Sequence, residues 1–228
     1  SPAKTKEFMV QILYKFKDNL RRYMDDIVVF ASTRVKFMEV LEGVFLTLKF
    51  HNFRLKGSKV QILGTKFKLL GKTISNGKIE AGQHIINNVN NIGVAELTTK
   101  RKLKRFLGMV AYISSHLPYA TDLLKTLREA STGNLEDKIE WSKGLEIDFI
   151  KVKNEVNNLM NLFPVIPDHD VHLVVDSSYY ATGAFMYQLI NGEKRLIKIF
   201  SRRRSDADLK FGGGSCIVEF TGIIAAVM

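Results

Sequence analysis

Two neighbouring carboxylates, Asp25 and Asp26, stand between Leu20 on one side and the apolar run Ile27, Val28, Val29, Phe30 on the other. These flanks predict two buried strands with the acids at a sharp turn between them. Adjacent like charges repel and cost free energy to desolvate, so a fold that pins them in this way neutralises them with a cation. Hard oxygen donors suit magnesium. Taken alone, the same pair also fits a polar turn between strands. A second concentration of charge lies at Lys100, Arg101, Lys102, Lys104 and Arg105. They crowd the first turn of a predicted helix, where the macrodipole is already positive. Phosphates would offset that arrangement; a solvated charged face is the other reading, and both stay open for each residue. Arg202, Arg203 and Arg204 admit the same two readings.

The 228 residues are 46% apolar and 25% charged, an ordinary globular balance with enough apolar mass for a real core. The net charge of +11 points to a polyanionic partner, nucleic acid first, because Lys and Arg displace condensed counterions from phosphates. No run approaches the roughly 18 apolar residues that a membrane span needs, and Ser1-Pro2-Ala3-Lys4 has no secretory pattern. The expectation is an intracellular, cytoplasmic protein with no membrane partner. A single cysteine, Cys216, excludes an internal disulfide and a cysteine-rich zinc site, in keeping with a reducing compartment. His169 and His172 are too few to make a metal case. Both ends read as cut, since the chain starts without Met and Ile223–Met228 stops inside an apolar periodic segment lacking a C-cap.

Phe8, Met9, Ile12, Leu13 and Phe16 predict an amphipathic helix ahead of the hairpin. Behind it, Ser32 or Thr33 caps a second helix whose expected buried stripe is Val35, Met38, Leu41, Phe45 and Leu48. From Lys49 to Lys78 the chain is basic and reads as short strands joined by Gly57, Gly64, Gly71 and the Asn76-Gly77 turn. Thr98 and Thr99 open a helix with Leu103, Phe106, Leu107, Val110 and Ile113 as its stripe, and a helical lobe is expected over about 95–160. Past Phe163, with Pro164 and Pro167 as breakers, the period shifts to alternation, with strands around Leu173–Asp176, Gly183–Tyr187 and Leu196–Phe200. A helix is expected from Ile217. Trp141 reads as core.

Tyr23-Met24-Asp25-Asp26-Ile27-Val28-Val29-Phe30 resembles the polymerase metal-binding motif of the reverse transcriptases in the pol polyproteins of retroviruses and long-terminal-repeat retrotransposons. Ser1-Pro2-Ala3 resembles the end of the motif ahead of the palm helix, and Phe67–Ser75 is similar to the segment that grips the primer end. Phe106–Tyr112 with Leu117-Pro118 resembles the thumb, and Ile139–Ser142 the linker after it. Val175–Ser178 with Gly183-Ala184, Phe200–Arg202 and Glu219–Gly222 resembles an RNase H fold.

The resemblance implies an α+β chain: a partial reverse-transcriptase palm over residues 1–94, a helical thumb and linker over 95–163, and part of an RNase H-like or connection α/β domain over 164–228. It implies an RNA-directed DNA polymerase with associated RNase H, using Mg2+ in two-metal sites on an RNA–DNA hybrid or primer-template duplex with dNTP. Asp25 and Asp26 would hold metal and Lys59 would protonate the leaving pyrophosphate. Asp176 and Glu219 would form the second metal pair. Tyr23, Met24, Leu69, Leu70, Gly71, Lys72, Lys100, Arg101, Lys104 and Arg105 would touch nucleic acid. The same topology also occurs in the family as a connection domain without catalysis, and both readings of the tail stay open. A third palm aspartate and further RNase H acids fall outside the sequence, so this piece is expected to need the rest of a pol polyprotein or a second subunit, within virus-like particles or the cytoplasm. Two non-enzymatic readings stand beside this: a domesticated or partner-subunit binding module, and an assembly scaffold.

Overall fold

In a computed structural model, which describes residues 2–24, 26–62 and 66–204, the chain divides into two compact units, Ser1–Ile62 and Leu63–Met228. The division falls within the stretch 1–94.

The first unit begins with helix α1 (Pro2–Leu13), continued by a 3-10 turn over Tyr14–Phe16. Strands β1 (Leu20–Tyr23) and β2 (Asp26–Val29) form an antiparallel hairpin. Helix α2 (Arg34–Phe50) follows, with Thr33 as its cap: the Thr33 hydroxyl accepts a hydrogen bond from the Lys36 N–H at 3.2 Å. Leu13, Leu20, Val40, Val44 and Leu48 form the core, against which Ile27 and Val29 pack one face of the hairpin. The buried stripe of α2 therefore differs from the expected one. Val40 and Val44 point inward, whereas Val35, Met38 and Phe45 are exposed. Both sets recur every three to four residues, so period alone left the rotation of the helix undetermined.

In the second unit, β3 (Lys66–Leu69), β4 (Lys72–Ser75) and β5 (Lys78–Ala81) make an antiparallel meander. Asn76 and Gly77, both at positive φ, join β4 to β5 in the expected primed turn. The residues between Arg54 and Ile62 form no strand; they carry a 3-10 turn at Gly57–Lys59. Helices α3 (Gln83–Asn91), α4 (Lys100–Ile113), α5 (Ala120–Leu123), α6 (Lys125–Ala130) and α7 (Lys143–Asn157) come next. All five expected stripe residues of α4 are buried, and they share a core with Val89, Leu124, Leu127, Phe149, Val152 and Val156. Trp141 packs on this core and donates its indole N–H to the Leu97 carbonyl at 3.1 Å.

The meander is tied to this helical core. Ala81 packs against it, and Ile79 exchanges backbone hydrogen bonds with Leu162 at 2.7 and 2.9 Å. Finally β6 (His172–Ser177), β7 (Ala181–Ile190) and β8 (Glu193–Arg203) form a second antiparallel sheet in the order β6-β7-β8. The three expected strands are present and longer than the alternation suggested. The expected helix from Ile217 lies outside the described residues.

Candidate active site and nucleic-acid interface

The β1–β2 hairpin is closed by the pair Tyr23–Asp26, which leaves a two-residue turn. Met24, its first residue, sits at φ +49, the left-handed conformation that primed hairpin turns require. Alternation along β2 turns Ile27 and Val29 to the core and Asp26 away from it. Tyr23, Met24 and Asp26 are accordingly exposed at the tip, and the Asp26 carboxylate has no hydrogen bond or ion pair among the described residues. An exposed carboxylate with free lone pairs is the donor type that a hard divalent cation takes. Asp25 lies outside the described residues. Among those described, no three His, Cys, Asp or Glu side chains gather as a metal set. Lys59 ends the 3-10 turn at Gly57–Lys59, exposed and without an ion pair among the described residues.

The four residues Leu69, Leu70, Gly71 and Lys72 form the β3–β4 turn, closed by the pair Leu69–Lys72. Leu70 at φ +48 and Gly71 at φ +70 give it the primed geometry. Leu70 is a poor choice for this conformation, since a γ-branched L-residue there carries strain. The strain is held from outside. Tyr112, on the exposed face of α4, donates its hydroxyl to the Leu70 carbonyl at 2.8 Å, and its ring lies so close to Gly71 that a Cβ there would collide with it. Lys72 reaches Ser115 at 3.2 Å. Nothing in the hydrophobic pattern singled out Tyr112; its place one turn after exposed Gly108, on the face opposite the buried stripe, was the available signal.

The five cations at the start of α4 divide into two pairs and Lys102, whose ammonium donates to the Thr98 hydroxyl at 3.1 Å. The backbone N–H groups of Lys100 and Arg101 donate to the Asp137 and Leu135 carbonyls at 3.0 and 2.9 Å, and their side chains pair with Asp137 at 2.9 Å and with Glu136. The loop 134–137 thus supplies negative charge at a helix end for which phosphate contact and a solvated charged face were both open readings. That loop lies more than thirty residues away in sequence, out of reach of local pattern. Lys104 and Arg105 remain exposed, with no hydrogen bond or ion pair among the described residues, on the face that carries Gly108 and Tyr112.

Asp176 lies on β6 in the row Asp176–Gly183–Ser201. Directly paired residues share a sheet face, and on this face the Tyr119 ring packs against Gly183 closely enough that a Cβ would touch it, while the Thr121 N–H donates to the Ser201 hydroxyl at 2.9 Å. The segment Tyr119–Asp122 therefore lies over the face to which Asp176 belongs. Tyr119 enters it at φ +50. Burial pushes the Asp122 carboxyl above the usual carboxylate range; Lys125 opposes that shift and Asp176 adds to it. Asp176 itself is exposed. Glu219 lies outside the described residues.

One buried histidine ties the turn after α4 to the segment after α7. His116 is fully buried, and its Nδ1 is 2.9 Å from the Met160 carbonyl. A carbonyl only accepts, so Nδ1 carries the hydrogen and Nε2 is a bare acceptor, with no hydrogen-bond partner among the described residues. Burial lowers the pKa below its ordinary value, the Met160 hydrogen bond opposes this, and Lys72 adds to it.

Residues 1–74 match the family model for reverse transcriptase (RNA-dependent DNA polymerase). The enzymatic polyprotein of Cauliflower mosaic virus (strain NY8153) is 25% identical over 183 residues, 80% of this chain and 26% of the viral protein. The Gag-Pol polyprotein of Avian reticuloendotheliosis virus is 24% identical over 188 residues, 81% of this chain and 16% of that protein. The chain spans about a quarter or less of the length of these relatives. Two solved structures of a foamy viral protease-reverse transcriptase superpose on 99% of the chain at 18% identity. The dRH form in complex with ds DNA gives a TM-score of 0.82 over 39% of its own length. The complex with an RNA/DNA hybrid gives 0.81 over 30%. Among the described residues no helix is long and apolar enough to cross a membrane.

Proposed function

We propose that this chain, a reverse-transcriptase portion of the retroviral and retrotransposon pol type, contributes the metal hairpin, primer grip and thumb to an RNA-directed DNA polymerase. The observation that carries the reading is the β1–β2 tip, where Asp26 stands exposed, with no hydrogen bond or ion pair among the described residues, in a hairpin whose other face is anchored in a core. Asp25 and Asp26 would hold Mg2+, which when bound supplies charge neutralisation at the transferring phosphoryl group and orients it. The rest falls to the chain's own side chains. Tyr23 and Met24, exposed at the same tip, contact the nucleic-acid end, and the turn Leu69–Lys72 holds the primer strand in register. Lys59 passes a proton to the leaving pyrophosphate. Lys104 and Arg105, the untethered pair on α4, contact duplex phosphates, with Lys100 and Arg101 behind them in their ion pairs. Its substrates would be a primer-template duplex or RNA–DNA hybrid and dNTP, its setting a longer polyprotein in the cytoplasm or a virus-like particle. The working parts would be palm over 1–94, thumb over 95–163 and an RNase H-like lobe over 164–228.

For the last lobe two readings compete. Asp176 with Glu219 would hold metal for cleavage of the RNA strand. A connection domain is favoured instead by the packing of Tyr119–Asp122 over the Asp176 face. Asp176→Asn in the parent polyprotein separates them, since only the first reading loses RNA cleavage.

The test of the main reading is magnesium-dependent extension of a DNA primer on an RNA template by the parent polyprotein, wild type against Asp25→Asn/Asp26→Asn. Outer-shell partners of metal ligands cost 10–100-fold when removed, so loss of the carboxylates themselves should cost at least about 100-fold while duplex binding persists. Extension at the wild-type rate would refute the assignment and leave a nucleic-acid-binding module.

A further inference from the structure

We propose that Lys125, Arg203 and the Tyr180 ring on which both converge form a binding site for one backbone phosphate of a nucleic-acid strand. The inference rests on the nucleic-acid-binding reading above and adds a contact at the seam between the helical segment and the β6-β7-β8 sheet. Lys125 opens α6 and Arg203 ends β8. Although they are far apart in the chain, the Lys125 ammonium lies 4.6 Å and the Arg203 guanidinium 5.4 Å from the centre of the Tyr180 ring. Both side chains are exposed, and neither has a carboxylate in ion-pair contact among the described residues.

A ring face attracts a cation, but the ring gives neither Lys125 nor Arg203 a counter-charge. Asp122 is near enough to be felt by both Lys125 and Asp176. Arg128, on the same helix as Lys125, is turned to the Thr121 carbonyl at 3.5 Å, and Arg202 alternates to the opposite sheet face. Asp122 and Asp176 both stay outside ion-pair contact with Lys125 and Arg203, so among the described residues the two cationic heads keep their donors open to a ligand.

The two heads differ in a way that suits a phosphodiester. The planar guanidinium matches a pair of oxygens and the ammonium acts as a point charge on the same group. The placement also gives the ligand a direction. Arg203 pairs with Ala181, and Asp176 pairs with Gly183 two residues along the same strand. Arg203 and Asp176 therefore share a sheet face, roughly 6–7 Å apart along the strand by the rise per residue. A strand held at the cations would run past Asp176.

The experiment measures binding of a fluorescent DNA duplex to the full chain across a salt series. For B-form DNA the slope of log K against log salt is about −0.9 per neutralised phosphate. Lys125→Gln and Arg203→Gln are each expected to flatten the slope by up to about 0.9, the double variant adding little to either single one, because one phosphate is shared. Lys125→Arg should keep the wild-type slope, which excludes a folding defect as the cause. A wild-type slope in the double variant overturns the proposal while leaving duplex binding intact; absence of duplex binding by the wild-type chain overturns both this site and the reading on which it rests.

Discussion

At residue scale, the structure converts several side chains from composition into constraint. Tyr112 is the sharpest case. Its hydroxyl holds the carbonyl of a leucine in a conformation leucine disfavours, so Tyr112→Phe should cost about 1 kcal/mol, the net value of one hydrogen bond. The effect should be local: faster amide exchange at Leu70–Lys72 with little change in the melting temperature of the remainder. If those amides exchange at the wild-type rate, the clamp is not what fixes the turn. His116 gives a pH prediction. Its folded-state pKa lies below the ordinary value of about 6.5. The unfolded chain therefore binds the proton first, and the associated stability is complete above about pH 6.5 and is lost as pH falls below it. Thermal melts from pH 7.5 to 5 should show a decline that His116→Gln shallows. Neither residue announced itself in the sequence. A lone tyrosine on a polar helix face and a lone histidine before Leu117-Pro118 acquire their roles from carbonyls at Leu70 and Met160, more than forty positions away.

Helix α4 shows what pattern does and does not carry at the scale of an element. Its buried stripe was legible in full, because five apolar residues at three- and four-residue spacing leave one rotation that buries them all. Phe106→Ala should cost about 3–5 kcal/mol, since the side chain is fully enclosed against Phe149 and the other helices; a melting temperature within a degree of wild type would contradict that packing. In α2 the same reasoning gave the wrong rotation, because apolar residues lie on both faces and only the hairpin's position decides between them. The polar face of α4 was legible as basic but not in its division of labour. Charge counting treats Lys100, Arg101, Lys104 and Arg105 alike, whereas the loop 134–137 engages the first two. Alanine at Lys104 and Arg105 should therefore weaken duplex binding and flatten its salt dependence more than alanine at Lys100 and Arg101. Equal effects from the two pairs would show that the ion pairs open on binding.

For the molecule as a whole, the net charge of +11 sets an expectation that no single site does. A ligand that binds only the folded chain raises its stability by mass action, so a duplex at about 100 times its dissociation constant should add roughly 2.7 kcal/mol at low salt and progressively less as salt rises. A melting temperature insensitive to duplex would speak for a scaffold. The aspartate hairpin, the α4 stripe and the three late strands could be read from residues close together in the chain. The seam at Tyr180 and the tether of the β3–β5 meander to the helices could not, because each is made by side chains or carbonyls that meet only after folding. The tight seat of Gly71 under the Tyr112 ring has an evolutionary corollary. Positions 71 and 112 are free to drift only together: a larger residue at the first demands a smaller one at the second, and the lost hydroxyl then leaves Leu70 without its restraint. Homologous lineages should therefore vary these two sites in tandem or leave both untouched.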